Sequence, residues 1–172
     1  MMCAALLGLL IACSAEPEGS DSGVVLAPTT EPFPMTEGTW MAASFNPQSD
    51  DCRLHDPTDP FLYFSASFDL WSQDDDSFTI ENDENEWTCS LSGNGFICDP
   101  LVEREPLPYD IAGDFVWETQ LDGVFLSERE MSAKPTITLD CDGSGCNQIE
   151  PVLDLALPCT LSAEVPASAQ AE

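Results

Sequence analysis

Three kinds of side chain in this 172-residue sequence could do chemistry: eight cysteines, 32 aspartates and glutamates, and a single histidine, His55. The acids gather at Asp50-Asp51, at Asp74-Asp75-Asp76, at Asp83-Glu84 with Glu86, and at Asp140 with Asp142. Carboxylate oxygens are the ligands that hard cations such as Ca²⁺ prefer. Asp140, Asp142 and Ser144, at alternate positions in Asp140-Cys141-Asp142-Gly143-Ser144-Gly145, are therefore the sharpest calcium candidates. The remaining acid runs read as a solvated face. Nucleophilic catalysis would have to use His55, which sits in Arg53-Leu54-His55-Asp56-Pro57 and reads as a surface residue. No Gly-x-Ser-x-Gly elbow accompanies it, and no catalytic residue is assigned. With so many acids, carboxylate pairs of the kind that hydrolyse glycosides exist by number alone. A carboxylate-dependent hydrolase stays open as an alternative, with no pair singled out.

Against these acids stand only 4 Lys+Arg, for a formal net charge of −28. Such a field repels phosphate backbones and anionic headgroups, so nucleic acid is not an expected partner. An envelope protein or a cationic ligand is. Residues 1–12 form an uncharged apolar run, long enough for the core of a signal peptide and too short to cross a bilayer. The run ends Leu10-Ile11-Ala12-Cys13, preceded by no Lys or Arg. It resembles the lipobox of bacterial lipoproteins. That resemblance implies cleavage before Cys13, acylation of its thiol and an anchor in the cell-envelope membrane. Ser14 after the cysteine resembles an outer-membrane sorting context. Residues 13–37, rich in acids and proline, read as a tether, residues 38–165 as the folded domain and residues 166–172 as a disordered tail.

If Cys3 leaves with the leader and Cys13 is acylated, six cysteines remain, an even number suited to disulfides in an oxidising compartment. Six allow fifteen pairings. In residues 87–98, Gly93-Asn94 reads as a two-residue hairpin loop, which places Leu91 opposite Phe96 and Cys89 opposite Cys98. Cys89 and Cys98 are then a non-hydrogen-bonded pair, close enough to join. Cys141 with Cys146 follows by proximity, leaving Cys52 with Cys159. No pair has the tight spacing of a zinc site. The segment from Asp140 to Gly145 also resembles the start of an EF-hand calcium loop, although position twelve would be Pro151 and Glu150 falls one residue early.

The body reads as all-β. Residues 61–71 alternate, with Leu62, Phe64, Ala66, Phe68 and Leu70 on one face. Strands are expected at 77–81 and 86–91 around an acidic turn, and at 114–121. Asp122-Gly123 then reads as a turn into a strand over 124–131. Residues 134–141 alternate again, and 152–165 supply one or two last strands interrupted at Pro158. A short helix or turn is expected within 46–60 or near Glu103. Eight or nine short antiparallel strands joined by tight turns form a meander that closes into a small barrel, which removes exposed edges, or folds as a sandwich. Glu37-Gly38-Thr39-Trp40 resembles the Gly-x-Trp opening strand of lipocalin-like (calycin) barrels, which would imply a carrier of a small apolar ligand. Read without that resemblance, Trp40 is a core residue of a β-domain. The function expected first is a lipid-anchored envelope protein of binding or structural type, not an enzyme.

Overall fold

The computed structural model describes residues 35–61, 64–74 and 76–171. The apolar leader, Cys3, Cys13, most of the tether, Leu62, Tyr63 and Asp75 lie outside the described residues. Ten strands and one helix follow in chain order: β1 (Gly38–Ala42), β2 (Asn46–Asp50), β3 (Ser67–Asp74), β4 (Ser77–Glu81), β5 (Glu86–Ser92), β6 (Gly95–Cys98), β7 (Leu101–Pro106), β8 (Asp114–Ser127), β9 (Glu130–Asp142), α1 (Cys146–Leu153) and β10 (Cys159–Ala169). Every pairing among the strands is antiparallel.

The order β1-β3-β4-β5-β6-β8-β9-β10 closes on itself, because β10 also pairs with β1 through Trp40 opposite Ala169. The fold is thus a closed eight-stranded barrel, the first of the two architectures expected. β7 continues the line of β6 along β8: Gly95 to Ile97 face 124 to 122, and Leu101 to Pro106 face 119 to 114. Between them Asp99-Pro100 interrupts the ladder, since proline has no N–H to give. β2 continues β1 along β10 in the same manner. Both interruptions lie toward one end, where β7-β8-β9-β10-β2 run past the barrel as a five-stranded flare. That end is the mouth.

Period-two alternation fills the interior from the closed end outward. Along β9, Met131, Ala133, Pro135, Ile137 and Leu139 are buried while the residues between them are not. Phe78, Phe96 and Phe125 meet edge-on or tilted with centroids 5.4 to 5.5 Å apart, and Trp40 packs on Phe125 at 6.1 Å. Such pairs add about 0.5–1.5 kcal/mol each beyond burial of their area. Trp40 is fully buried and its indole N–H donates to the Thr36 carbonyl (2.9 Å), while the Thr36 amide donates to the Glu128 carbonyl (3.0 Å). The described chain therefore begins at the closed end, beside the β8–β9 turn.

Four expectations are corrected. Asp122-Gly123 is not a turn. β8 runs through it to Ser127, because Gly123 faces the barrel interior and leaves the room that the Phe96 ring fills. The strand expected from residue 61 begins at Ser67, since the chain turns back where the Phe64 amide donates to the Phe61 carbonyl (3.1 Å), leaving Ala66 exposed. Of the short helix or turn expected within 46–60 or near Glu103, turns follow β2 at 51–52 and 57–58, whereas Glu103 lies in β7. The helix is α1, which anchors by Ile149 alone, too little for a visible helical period. Finally, β10 continues to Ala169, because its pairing with β1 needs residues 167–169, so no tail starts at 166.

The three disulfides are Cys52–Cys159, Cys89–Cys98 and Cys141–Cys146, as the pairing argument expects. The β5–β6 register agrees residue for residue, with Leu91 opposite Phe96 and Ser92 opposite Gly95.

Candidate functional site

At the mouth a cavity of about 500 Å³ opens between the flare, the β4–β5 turn and the loop before β3. Its floor is aromatic and aliphatic: Phe64, Trp87, Trp117 and Ile137. Its walls carry Asp59, Asp83, Glu84, Glu103 and Glu105, and no Lys or Arg lines it. The volume lies within the range of small-molecule sites.

Each wall is held by local chemistry. β7 alternates, so Glu103 and Glu105 face inward and Arg104, between them in sequence, faces outward, where its Nη1 meets Asp142 Oδ2 at 2.9 Å. Glu103 stands directly across from Trp117 in the β7–β8 register, which puts a carboxylate beside an indole. In the β4–β5 turn the Asn82 side-chain oxygen accepts the amides of Glu84 (2.9 Å) and Asn85 (2.7 Å), fixing the two acids that follow it. In the loop, Asp56 Oδ1 accepts both the Thr58 amide and its hydroxyl (2.7 Å each), and the Asp59 amide donates to the Asp56 carbonyl (3.1 Å). The farther stretch is pinned where the two oxygens of Asp50 accept the Leu54 and His55 amides, each at 2.9 Å.

The Thr58 hydroxyl, then its amide, stabilise the ionised Asp56 carboxyl and lower its pKa below the ordinary 3.8. A group whose pKa is lower folded than unfolded stabilises above its unfolded value and loses that contribution as pH falls through the folded one. Acidification to below pH 3.8 should therefore release the turn that sets Asp59. The Thr58 amide resonance, followed by NMR, should shift in that window and not above it.

On the floor, Trp87 is 3% exposed and packs against Phe64 (centroids 6.4 Å apart), and its indole N–H has no acceptor among the described residues. Leaving a buried donor unmet costs about 1–3 kcal/mol, so placing Trp87 here is not explained by stability alone.

The calcium candidates are placed elsewhere. β9 runs through Asp140 and Asp142; Asp140 Oδ1 accepts the Cys141 amide (2.7 Å) and Asp142 is engaged by Arg104. Ser144 lies in the turn between β9 and α1, and among the described residues no three His, Cys, Asp or Glu side chains gather to hold a metal. His55 is half-buried, not superficial: it stacks on Phe45 (5.9 Å, 11° between planes) and does not line the cavity. Of the acid runs, Asp83-Glu84 reaches the site and the one containing Asp74 and Asp76 sits at the closed end. Glu103 and Glu105 were not singled out in sequence; the cue was the strand-like spacing of two acids around Arg104.

Fold and cavity together define a closed antiparallel barrel with one acid-walled, aromatic-floored mouth. No protein-family model, no curated protein and no solved structure matches the chain.

Proposed function

We propose that this chain is an exported, lipid-anchored binding protein of the bacterial envelope, probing its surroundings through the mouth of the barrel. The cavity of about 500 Å³ is the observation that carries the binding role. The lipobox-like Leu10-Ile11-Ala12-Cys13 supports the anchor, and three disulfides accord with an oxidising compartment. The polarity of the barrel supports the arrangement. The described chain enters at the closed end, beside Glu128, while the cavity opens at the other. An acylated Cys13 would attach the protein through the chain that enters at the pole opposite the site. Several acyl chains hold at ~0.8 kcal/mol per buried CH₂, enough to outweigh repulsion of the acidic body.

Two measurements test this. Cys13→Ala should move the protein from the membrane fraction to the soluble fraction; retention in the membrane would overturn the anchor. For the site, tryptophan fluorescence of the intact protein should respond to at least one of three similar-sized probes, benzyltrimethylammonium, benzyl alcohol and phenylacetate. Thr119→Trp, which fills the cavity wall, should abolish that response. No response to any probe would overturn the site.

A further inference from the structure

We infer that the mouth takes an organic cation, its charged head between the acidic walls and its body on the indole floor; this rests on the mouth being a binding site. The carboxylates of Asp59, Asp83, Glu84, Glu103 and Glu105 line one space, and the chain's four cations lie elsewhere, Lys134 on β9 opposite Asp122 and the three arginines in contacts of their own. Arg53 meets Asp154, Arg104 meets Asp142, and Arg129 caps the carbonyls of Ala169 and Gln170. An anion would enter a field with no counter-charge, and a purely apolar ligand would strip water from carboxylates that gain nothing in return.

A small metal ion fits no better. It needs several oxygens within one coordination sphere, and here the acids come from three separate elements around a space of about 500 Å³, with no metal-holding cluster among the described residues. A diffuse cation with an apolar body suits both surfaces. Indole faces are the strongest cation–π acceptors among side chains, the more so as water is excluded. Glu103 across from Trp117 pairs a carboxylate with such a face. The second, independent sign is Trp87: nearly wholly buried in the floor, with an indole N–H that meets no acceptor among the described residues. A hydroxyl or carbonyl on the occupant would satisfy it.

The test uses the same three probes on the full chain. Benzyltrimethylammonium should bind at least tenfold more tightly than benzyl alcohol, and phenylacetate should not bind. Glu103→Gln with Glu105→Gln should weaken the cation at least tenfold. Both side chains are exposed, so the fold is retained. Glu128→Gln with Glu130→Gln removes the same charge at the closed end and should change affinity less than twofold. Equal binding of benzyl alcohol and the cation would overturn the cation assignment while leaving the site intact. Equal weakening by the two double variants would overturn it as well, showing a response to net charge alone. Silence from all three probes would instead overturn the site itself.

Discussion

Replacing Cys52 and Cys159 together by alanine should cost about 4–5 kcal/mol of stability, more than loss of either other disulfide. The pair closes a loop of sequence separation 107, against 9 for Cys89–Cys98 and 5 for Cys141–Cys146. Chain-entropy arguments give about 4.7 kcal/mol for a loop near 100 residues and about 3 kcal/mol or less for the short ones. The structural setting adds to the difference. The closed end is continuous around the ring, whereas the flare has free edges at β2 and β7. Cys52 and Cys159, both buried, form with Leu139 the small core that holds the flare, flanked by Leu54, Phe115, Trp117 and Leu157. Reduction should loosen the loop after β2, and with it the wall that Asp59 supplies and the part of the floor that Phe64 supplies to the cavity. Calorimetry should show the melting temperature of the double variant lower by on the order of 10 °C. Binding of benzyltrimethylammonium should weaken with it. Equal losses from all three disulfides would mean that the flare does not depend on this link.

What the sequence made legible was local. Gly93-Asn94 and four alternating positions on each side sufficed to set the β5–β6 register, because a two-residue loop leaves no freedom in the count. β4 was equally plain, being short, alternating and bounded by turn residues. Closure as such was a choice between barrel and sandwich, since the β1–β10 pairing that decides it joins residues at opposite ends of the domain. β7 was hidden for another reason: Leu-Val-Glu-Arg-Glu-Pro, set between prolines and mostly exposed, has no apolar alternation to announce a strand. It is a strand because β8 offers an edge. The site inherited that difficulty. Glu103 and Glu105 read as surface charge until β8 places Trp117 opposite Glu103, and Trp87 reads as one more core residue until the β4–β5 turn stands over it. Asp83-Glu84 was visible as a charged turn, but its direction came from the barrel.

Gly123 shows the same limit at one position, and its substitution should be far more damaging than that of a turn glycine. An Asp-Gly turn predicts a modest penalty for Gly123→Ala, about 1 kcal/mol, from lost backbone freedom. In the barrel, Gly123 lies opposite Phe96 on β6 and Ala133 on β9, at the inward position between Leu121 and Phe125. A Cβ there would stand 2.5 Å from Phe96 Cζ and 2.5 Å from the Ser132 carbonyl oxygen. The ring is locked by Phe78 and Phe125, and the carbonyl belongs to the backbone of β9, so neither can retreat without moving the sheet. Overpacking of this kind costs about 1–3 kcal/mol, occasionally more. Gly123→Ala should lose about 3 kcal/mol in urea unfolding and Gly123→Val more. Gly93→Ala, at a φ of +61° with open space around it, should lose only about 1 kcal/mol. The assignment of blame can be checked within the pair. If the ring is the obstacle, Phe96→Leu should be less costly in the Gly123→Ala background than in the native chain, a coupling of about 1 kcal/mol or more. Simple additivity would place the strain in the β9 carbonyl instead.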